Sequence, residues 1–265
     1  MRAGAPTNTR TPMPAHSCRH KETGNEVAIL ETGRINEKIA DRFDRYPEMF
    51  RTMFAAIGDA DLVFTDIPVL EGVFPDSVDA YDGYLVTGSA AGVYDDYDWI
   101  DPLKAFIRDI HAARKPLVGV CFGHQVIAEA LGGRCIKWPD GFGVGTCDVT
   151  LANTPGWMPD RESVRLIHFH QDQVTALPEG ATHLGSTGYC ANAMYYIDDH
   201  VFSMQGHPEF SADYTVALLN LRAADIGDDR VTGAIADLAQ EHEGTTIARW
   251  IQAFFARHMT SKSAA

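Results

Sequence analysis

The segment 117–133 contains a cysteine in a setting that can make its sulfur a nucleophile. An apolar run over 117–120 is typical of a short β-strand, and a helical pattern begins directly after Cys121. Gly119 and Gly123 flank the cysteine two residues away on either side, as a sharp strand-to-helix turn requires. The turn places the sulfur at a helix N-terminus, where unpaired N–H groups stabilise negative charge. The pattern therefore favours a reactive thiol over the alternative of a small buried cysteine at a strand end.

The best candidate for a base that would serve this thiol is His207, which follows a predicted strand over 201–205. Pro208 keeps His207 extended, because the residue before a proline is pushed out of the helical region. Residues two apart in extended chain point the same way, so Glu209 can reach the far side of the imidazole. A solvated surface turn would have the same local sequence. Together with the cysteine, the motif predicts a catalytic triad of Cys121, His207 and Glu209.

The cysteine and histidine motifs resemble those of the class I, or triad, glutamine amidotransferases. They read Gly-Val-Cys-Phe-Gly-His-Gln around Cys121 and Gly-His-Pro-Glu over 206–209. Two intermediate segments have the same family pattern, the strand and glycine turn at 85–89 and the sequence Phe-His-Gln-Asp-Gln-Val at 169–174. The four motifs occur in the order of the family between residues 27 and 210, so the resemblance covers most of the chain.

The resemblance implies roles for residues around the predicted triad. The backbone N–H groups of Gly88 and Phe122 correspond to the oxyanion hole of the family. The residues that would contact the substrate are Gln125, His170, Gln171 and Asp172. For His170 the alternative is a histidine packed within a strand, and for Asp172 it is a solvated turn carboxylate or a helix cap. The resemblance implies neither a metal site nor a cofactor.

His124 is a second histidine close to the nucleophile. In protease-like relatives with a cysteine at such a turn, the catalytic histidine follows the cysteine almost directly. His124 lies three residues after Cys121, at the wrong helical phase for that role. We therefore expect His207 to be the base.

The activity that the resemblance implies is hydrolysis of the γ-amide of glutamine, or of a γ-glutamyl compound, through a γ-glutamyl thioester. Family members pass ammonia to a synthetase, yet this sequence contains no Gly-x-x-x-x-Gly-Lys-Ser/Thr phosphate loop. We therefore expect a free-standing, GMP synthase-like or γ-glutamyl peptidase-like member, which residues 46–50 and the loop at 89–99 also favour. Two alternatives stay open: a glutaminase subunit that depends on a separate synthetase, such as the ATP-using partner of a GMP synthase, and a non-catalytic binding module with the same fold.

The composition is that of an ordinary globular protein, and the substrate that the resemblance implies is a small molecule. Hydrophobic residues make up 45% of the 265 residues, and the formal net charge is -14 without a cluster of Lys or Arg. An acidic chain without a basic patch is a poor binder of nucleic acid and of membrane surfaces. No apolar run approaches the roughly 20 residues of a membrane-spanning helix, and no secretory signal is recognisable.

The five cysteines, at positions 18, 121, 135, 147 and 190, lack the spacing of a disulfide framework or a zinc site. Free thiols suit the reducing cytoplasm, where we expect the protein to act. Residues 1–23 have no hydrophobic periodicity and are predicted to be a disordered tail. Within this tail the pattern His16, Cys18, His20 contains metal-ligand types, but an unstructured polar segment is the better interpretation.

Alternating strand and helix patterns predict an α/β fold with a doubly wound, mostly parallel sheet, as in flavodoxin-like proteins, in a single domain over 24–260. The expected strands are 27–30, 62–65, 84–87, 117–120, 144–151, 164–169, 183–186, 193–197 and 201–204, and those after 133 suggest a small antiparallel extension. A helical pattern over 35–57 is interrupted at Pro47, and Asp101 is expected to cap a helix that runs to Ala113. Three helices, at 211–225, 229–241 and 245–258, are expected to end the chain.

Overall fold

The computed structural model describes residues 25–58 and 62–259. The predicted disordered tail at 1–23 and the histidine and cysteine pattern within it lie outside these residues, and the domain bounds of 24–260 stay a prediction. In chain order the strands are β1 (Asn25–Leu30), β2 (Leu62–Ile67), β3 (Gly83–Val86), β4 (Leu117–Val120), β5 (Arg134–Lys137), β6 (Gly143–Leu151), β7 (Ser163–His170), β8 (Asp172–Ala176), β9 (Ala181–Ser186), β10 (Met194–Ile197) and β11 (Val201–Met204).

The described strands form a nine-stranded sheet in the order β2-β1-β3-β4-β11-β10-β9-β6-β7, and β5 pairs separately with β8. The first five strands of this order are parallel to one another. From β10 onwards the pairing is antiparallel. The predicted α/β fold, with a mostly parallel sheet and an antiparallel extension, is thus confirmed. Because β3, β4 and β11 are parallel neighbours, the residues that follow them meet at one edge of the sheet.

Helices cover both faces of the parallel part of the sheet. The α-helices of the described residues are α1 (Tyr46–Ala55), α2 (Ile100–Ala112), α3 (Phe122–Ala130), α4 (Ala212–Leu221), α5 (Ala223–Ile226), α6 (Asp228–Asp237) and α7 (Gly244–Met259). Those on the parallel strands are α1 and α7 on one face and α2 and α3 on the other. Successive residues of a strand point to opposite faces. Val27 and Ile29 of β1 accordingly pack with α1 and α7, whereas Ala28 and Leu30 pack with α2 and α3. In the described part of the chain, no helix is long and apolar enough to cross a membrane.

The predicted helical pattern over 35–57 is wrong in its first half. The helix α1 begins only at Tyr46, and Pro47 lies in its first turn, where the missing N–H costs nothing. The preceding segment forms turns, although Ile35 and Ile39 are both buried. These two side chains pack against α4 and α6 in a third apolar cluster. Their spacing therefore reflects a buried loop rather than a helix.

The predicted N-cap at Asp101 is also wrong, because α2 begins at Ile100, two residues earlier than a cap at Asp101 implies. Trp99 occupies the cap position and makes no hydrogen bond through its side chain. Ile100 is the first helical residue and is buried, so the packing of its side chain favours a helix that starts before Asp101. Asp101 instead lies in the first turn, with a carboxylate oxygen 3.7 Å from the Lys104 Nζ.

Candidate active site

Cys121 lies at the turn between β4 and α3, in a backbone conformation that side chains rarely adopt. Its φ is 54° and its ψ is -104°, within the left-handed half of conformational space. The Cys121 N–H donates to the Met204 carbonyl of β11 at 2.9 Å, and the Gly123 N–H donates to the Thr87 carbonyl at 3.2 Å. The two neighbouring strands therefore hold the turn in its strained shape.

The glycines on either side of the cysteine are required by close packing. A Cβ at Gly119 would lie 2.5 Å from Ile127 Cδ1 and 2.7 Å from the carbonyl oxygen of Gly123. A Cβ at Gly123 would lie 2.3 Å from the carbonyl oxygen of Val86 in β3. Backbone atoms cannot move aside as flexible side chains can, so the tight turn tolerates no larger residue at Gly123.

We expect Gly123→Ala to lower the free energy of unfolding by about 3 kcal/mol, as overpacking against backbone does. Urea denaturation measures this change. Gly233→Ala is the matched control, because Gly233 lies inside α6 with no atom within 4 Å of an added Cβ. That substitution should stabilise the protein by about 0.5 kcal/mol. Equal midpoints for the two variants would contradict the packing argument.

His207 lies just beyond β11 and is held on several sides. Its Nδ1 is 2.9 Å from Glu209 Oε1, and its backbone N–H donates to the Ile167 carbonyl at 2.7 Å. The ring of Phe210 stacks on the imidazole, with 3.8 Å between centroids and 11° between planes. Both His207 and Glu209 are buried. The contact between His207 and Glu209 that the sequence suggested is therefore present.

The electrostatic environment of His207 favours its protonated form. Burial lowers the pKa of His207, but the negative charges of Cys121 and Glu209, together with side-chain hydrogen bonds to both, raise it to about 10. At neutral pH the imidazole accordingly carries two protons. The structure thus brings the three residues of the predicted triad into one hydrogen-bonded arrangement.

Gly88 lies next to both Cys121 and His207. A Cβ at this position would be 3.1 Å from His207 Cε1 and 3.7 Å from Cys121 Cβ. The turn is held by Thr32, whose hydroxyl donates to the Thr87 carbonyl at 2.9 Å. In the part of the chain that the structure describes, neither the N–H of Gly88 nor that of Phe122 donates a hydrogen bond to another residue. Both groups are available to an oxygen atom near Cys121.

A cavity of about 360 Å³ opens onto Cys121 and His207. All the residues expected to contact a substrate line it, namely Gln125, His170, Gln171 and Asp172. The carboxylate of the predicted triad, Glu209, instead lines a second cavity, which Phe210 also lines. The structure thus collects the predicted substrate residues around the sulfur and places the carboxylate behind the histidine.

Two of these residues use their polar atoms to build the cavity wall. The Gln125 Nε2 donates to the Asp172 carbonyl at 3.0 Å and to Gln205 Oε1 at 3.1 Å. His170 Nδ1 is 3.1 Å from the same Asp172 carbonyl, and its Nε2 is 3.3 Å from His168 Nδ1. Burial lowers the pKa of His170 to about 3, so its ring is neutral at physiological pH.

Asp172 is the first residue of β8, and its side chain lies at the cavity wall. Its Oδ2 accepts a hydrogen bond from the Tyr94 hydroxyl at 2.8 Å. Burial raises the pKa of Asp172, and the hydrogen bond from Tyr94 opposes that shift. The loop at 89–99 that contains Tyr94 was named from the sequence, but no role was predicted for Tyr94 itself. Phe210, which lines the cavity and stacks on His207, was also missed, although it directly follows the Gly-His-Pro-Glu motif.

His124 points into the core beneath the turn. Its Nδ1 is 2.7 Å from Ser203 Oγ and its Nε2 is 3.0 Å from the Asn192 carbonyl. Burial lowers the pKa of His124 to about 3. Both ring nitrogens of His124 thus have hydrogen-bond partners in the core, and neither is directed at Cys121 as a base would be. Among the described residues, no group of three or more His, Cys, Asp or Glu could hold a metal ion.

The fold and the site define an α/β protein with a cysteine at a strand-to-helix turn beside a paired histidine and carboxylate. The family model for class-I glutamine amidotransferases matches residues 40–219, and the chain belongs to this family. It is 34% identical over 187 residues to Gamma-glutamyl peptidase 3 of Arabidopsis thaliana, which covers 67% of this chain and 74% of that protein. It is 28% identical over 199 residues to Gamma-glutamyl peptidase 2 of the same plant, covering 73% and 79%.

Solved structures show the same architecture. A glutamine amidotransferase from Methylobacillus flagellatus superposes with a TM-score of 0.65, over 89% of this chain and 95% of that chain. The sequence identity is 21%, so this likeness concerns the fold alone. The family resemblance and the fold class expected from the sequence are both confirmed.

Proposed function

We propose that the protein hydrolyses the γ-amide bond of glutamine or of a γ-glutamyl compound, with Cys121 as nucleophile. The observation that carries this proposal is the pairing of His207 with both Cys121 and Glu209 at the wall of a cavity. The names of the relatives from Arabidopsis thaliana support a γ-glutamyl substrate. The free thiols of the described cysteines favour action in the cytoplasm.

In the first half of the reaction, the Cys121 sulfur attacks the γ-carbonyl carbon of the substrate. Because the pKa of His207 is raised to about 10, its imidazole can hold the proton of the Cys121 thiol while the sulfur attacks. The N–H groups of Gly88 and Phe122 donate to the oxyanion that forms. One such donor lowers the barrier by about 3 kcal/mol.

In the second half, the tetrahedral intermediate collapses. His207 donates its proton to the leaving nitrogen, the C–N bond breaks, and a γ-glutamyl thioester stays on Cys121. A water molecule then attacks the thioester with His207 as general base, which releases glutamate and restores the thiolate. Glu209 stabilises the imidazolium and holds its orientation throughout.

The cavity wall supplies the contacts for the amino-acid end of the substrate. We propose that the Asp172 carboxylate attracts the α-ammonium group, while Gln125, His170 and Gln171 shape the surface on which the glutamyl chain lies. Tyr94 orients Asp172 through its hydroxyl group. This arrangement would select a free γ-glutamyl amino-acid end over an acylated one.

We expect the isolated protein to hydrolyse a γ-glutamyl substrate without ATP or a second protein. The physical reason is that the nucleophile, its base and the two N–H donors already lie together in this chain. The measurement is ammonia release from glutamine and amine release from γ-glutamyl dipeptides, each with and without ATP. The matched control uses α-glutamyl dipeptides, which place the scissile bond at the wrong carbon.

The same assay separates the other interpretations. A protein that is inert alone but active when a synthetase subunit is added would be a dependent glutaminase subunit. A protein that is inert in both conditions, and whose Cys121 resists glutamine-like electrophiles, would be a non-catalytic binding module. Either result would overturn the free-standing hydrolase.

A further inference from the structure

A second cavity lies behind the triad carboxylate. It has a volume of about 600 Å³, and Glu209 and His242 both line it. Phe210 belongs to the walls of this cavity and of the active-site cavity. Phe210 therefore lies at both spaces. Glu209 and His242 lie at the wall of the same second cavity, and the Glu209 side chain itself is fully buried.

Two buried polar atoms at this cavity have no hydrogen-bond partner in the described residues. Glu209 uses Oε1 to bind His207, whereas its Oε2 is unpartnered. The Nδ1 of His242 is the other. Buried polar atoms in native proteins are nearly always paired, directly or through a water molecule, because an unpaired one loses its contact with water without gaining a partner. A hydrogen-bond acceptor, Glu209 Oε2, and a potential donor, His242 Nδ1, are therefore both left without a partner at the wall of the second cavity.

The start of α7 brings His242 close to the triad turn. A Cβ at Gly244 would lie 2.2 Å from the Pro208 carbonyl oxygen and 2.9 Å from His242 Cε1. The imidazole of His242 therefore lies next to Pro208, the residue that precedes Glu209. The Nδ1 atom of His242 is covalently attached to this Cε1 atom. Burial lowers the pKa of His242 and the negative charge of Glu209 acts against that shift, so the two groups interact electrostatically. A neutral imidazole can carry its proton on Nδ1 and donate it.

We propose that His242 is a positioning residue for Glu209, and that its Nδ1–H is linked to Glu209 Oε2 through one water molecule enclosed at the wall of the second cavity. This link fixes the plane of the carboxylate, so that Oε1 stays directed at His207 Nδ1. An enclosed water molecule suits this place because it would give both unpartnered polar atoms a hydrogen-bond partner. The proposal rests on the proposed function, in which Glu209 orients the catalytic base.

The test compares two substitutions at one position with a matched control elsewhere. His242→Leu removes the donor, and His242→Asn keeps a donor near the place of Nδ1. His200→Leu is the control, because His200 is also buried with an unpartnered Nδ1, but pairs with His111 at the opposite edge of the sheet. The readouts are kcat, KM, the melting temperature, and the rate at which iodoacetamide alkylates Cys121, located by mass spectrometry.

We expect His242→Leu to lower kcat about tenfold, equivalent to about 1.4 kcal/mol, with KM changed less than about twofold. Alkylation of Cys121 should slow in parallel, whereas His242→Asn should recover kcat to within about threefold of wild type. His200→Leu should lower the melting temperature alone. Loss of kcat in His242→Asn equal to that in His242→Leu, or unchanged alkylation in His242→Leu, would overturn the proposal. Alkylation needs no substrate, so it tests this positioning role even if the wild-type protein hydrolyses no γ-glutamyl compound.

Discussion

Replacing Cys121 by alanine is expected to lower γ-glutamyl hydrolysis by more than about 10³-fold while leaving the fold intact. The sulfur is the atom that would form the thioester, and no neighbouring group in the cavity can replace it. The variant should unfold at nearly the wild-type temperature, because Cys121 adopts a strained conformation and alanine adds no atom to the turn. Initial rates of amine release, together with circular dichroism, measure both effects.

Cys190→Ala is the matched control for this substitution. Cys190 is also a buried free cysteine, but burial raises the pKa of its thiol to about 12. A neutral thiol of this kind is a poor nucleophile. We therefore expect Cys190→Ala to keep at least half of the wild-type rate. If the Cys121→Ala protein retained a tenth of wild-type turnover, the assignment of the nucleophile would be wrong.

Replacing His207 by alanine is expected to slow thioester formation by about 10³-fold. Without His207, no group at this position stabilises the thiolate or protonates the leaving nitrogen. Glu209 would also be left as a buried carboxylate whose Oε1 has lost its partner. The measurement is the burst of p-nitroaniline from γ-glutamyl p-nitroanilide under single-turnover conditions, which reports acylation alone.

His124→Ala provides the comparison. This histidine lies in α3, which begins directly after Cys121, but its ring is hydrogen-bonded to Ser203 and to the Asn192 carbonyl. Its loss should destabilise the core by about 2 kcal/mol, because it leaves a cavity and two unpaired polar groups. The acylation rate of the folded protein should fall less than tenfold. Equal losses of acylation rate in the two variants would refute the distinction between the histidines.

The local chemistry of the site could be predicted from the sequence because short-range sterics determine it. Gly119 and Gly123 permit the strained turn at Cys121, and a Cβ at either position would collide with neighbouring atoms. Pro208 restricts His207 to an extended conformation, which directs Glu209 to the same side. The bounds of the nine expected strands are each within two residues of those observed. Among them β3, β4 and β11 are apolar runs that are buried throughout.

Features that depend on distant parts of the chain could not be predicted in this way. The strands β5 and β8 are short and half-exposed, so they have no clear pattern until they pair with each other. The start of α2 depended on the burial of Ile100, which overrode a favourable capping residue. Propensity at a helix end amounts to about 1 kcal/mol, less than the burial of one large apolar side chain contributes.

The sequence by itself determined the strand-to-helix turn at Cys121, the extended histidine motif, the alternation of strands and helices, and the family, because each is encoded in neighbouring residues. Only the tertiary structure decided what surrounds the predicted triad. Tyr94 reaches Asp172 across 78 residues of chain, and Tyr46 of α1 stacks on Phe210, whose ring in turn stacks on His207. His242 lies beside Glu209 because the start of α7 packs against Pro208. Such contacts join segments far apart in the chain, and no spacing in the sequence encodes which segments will meet.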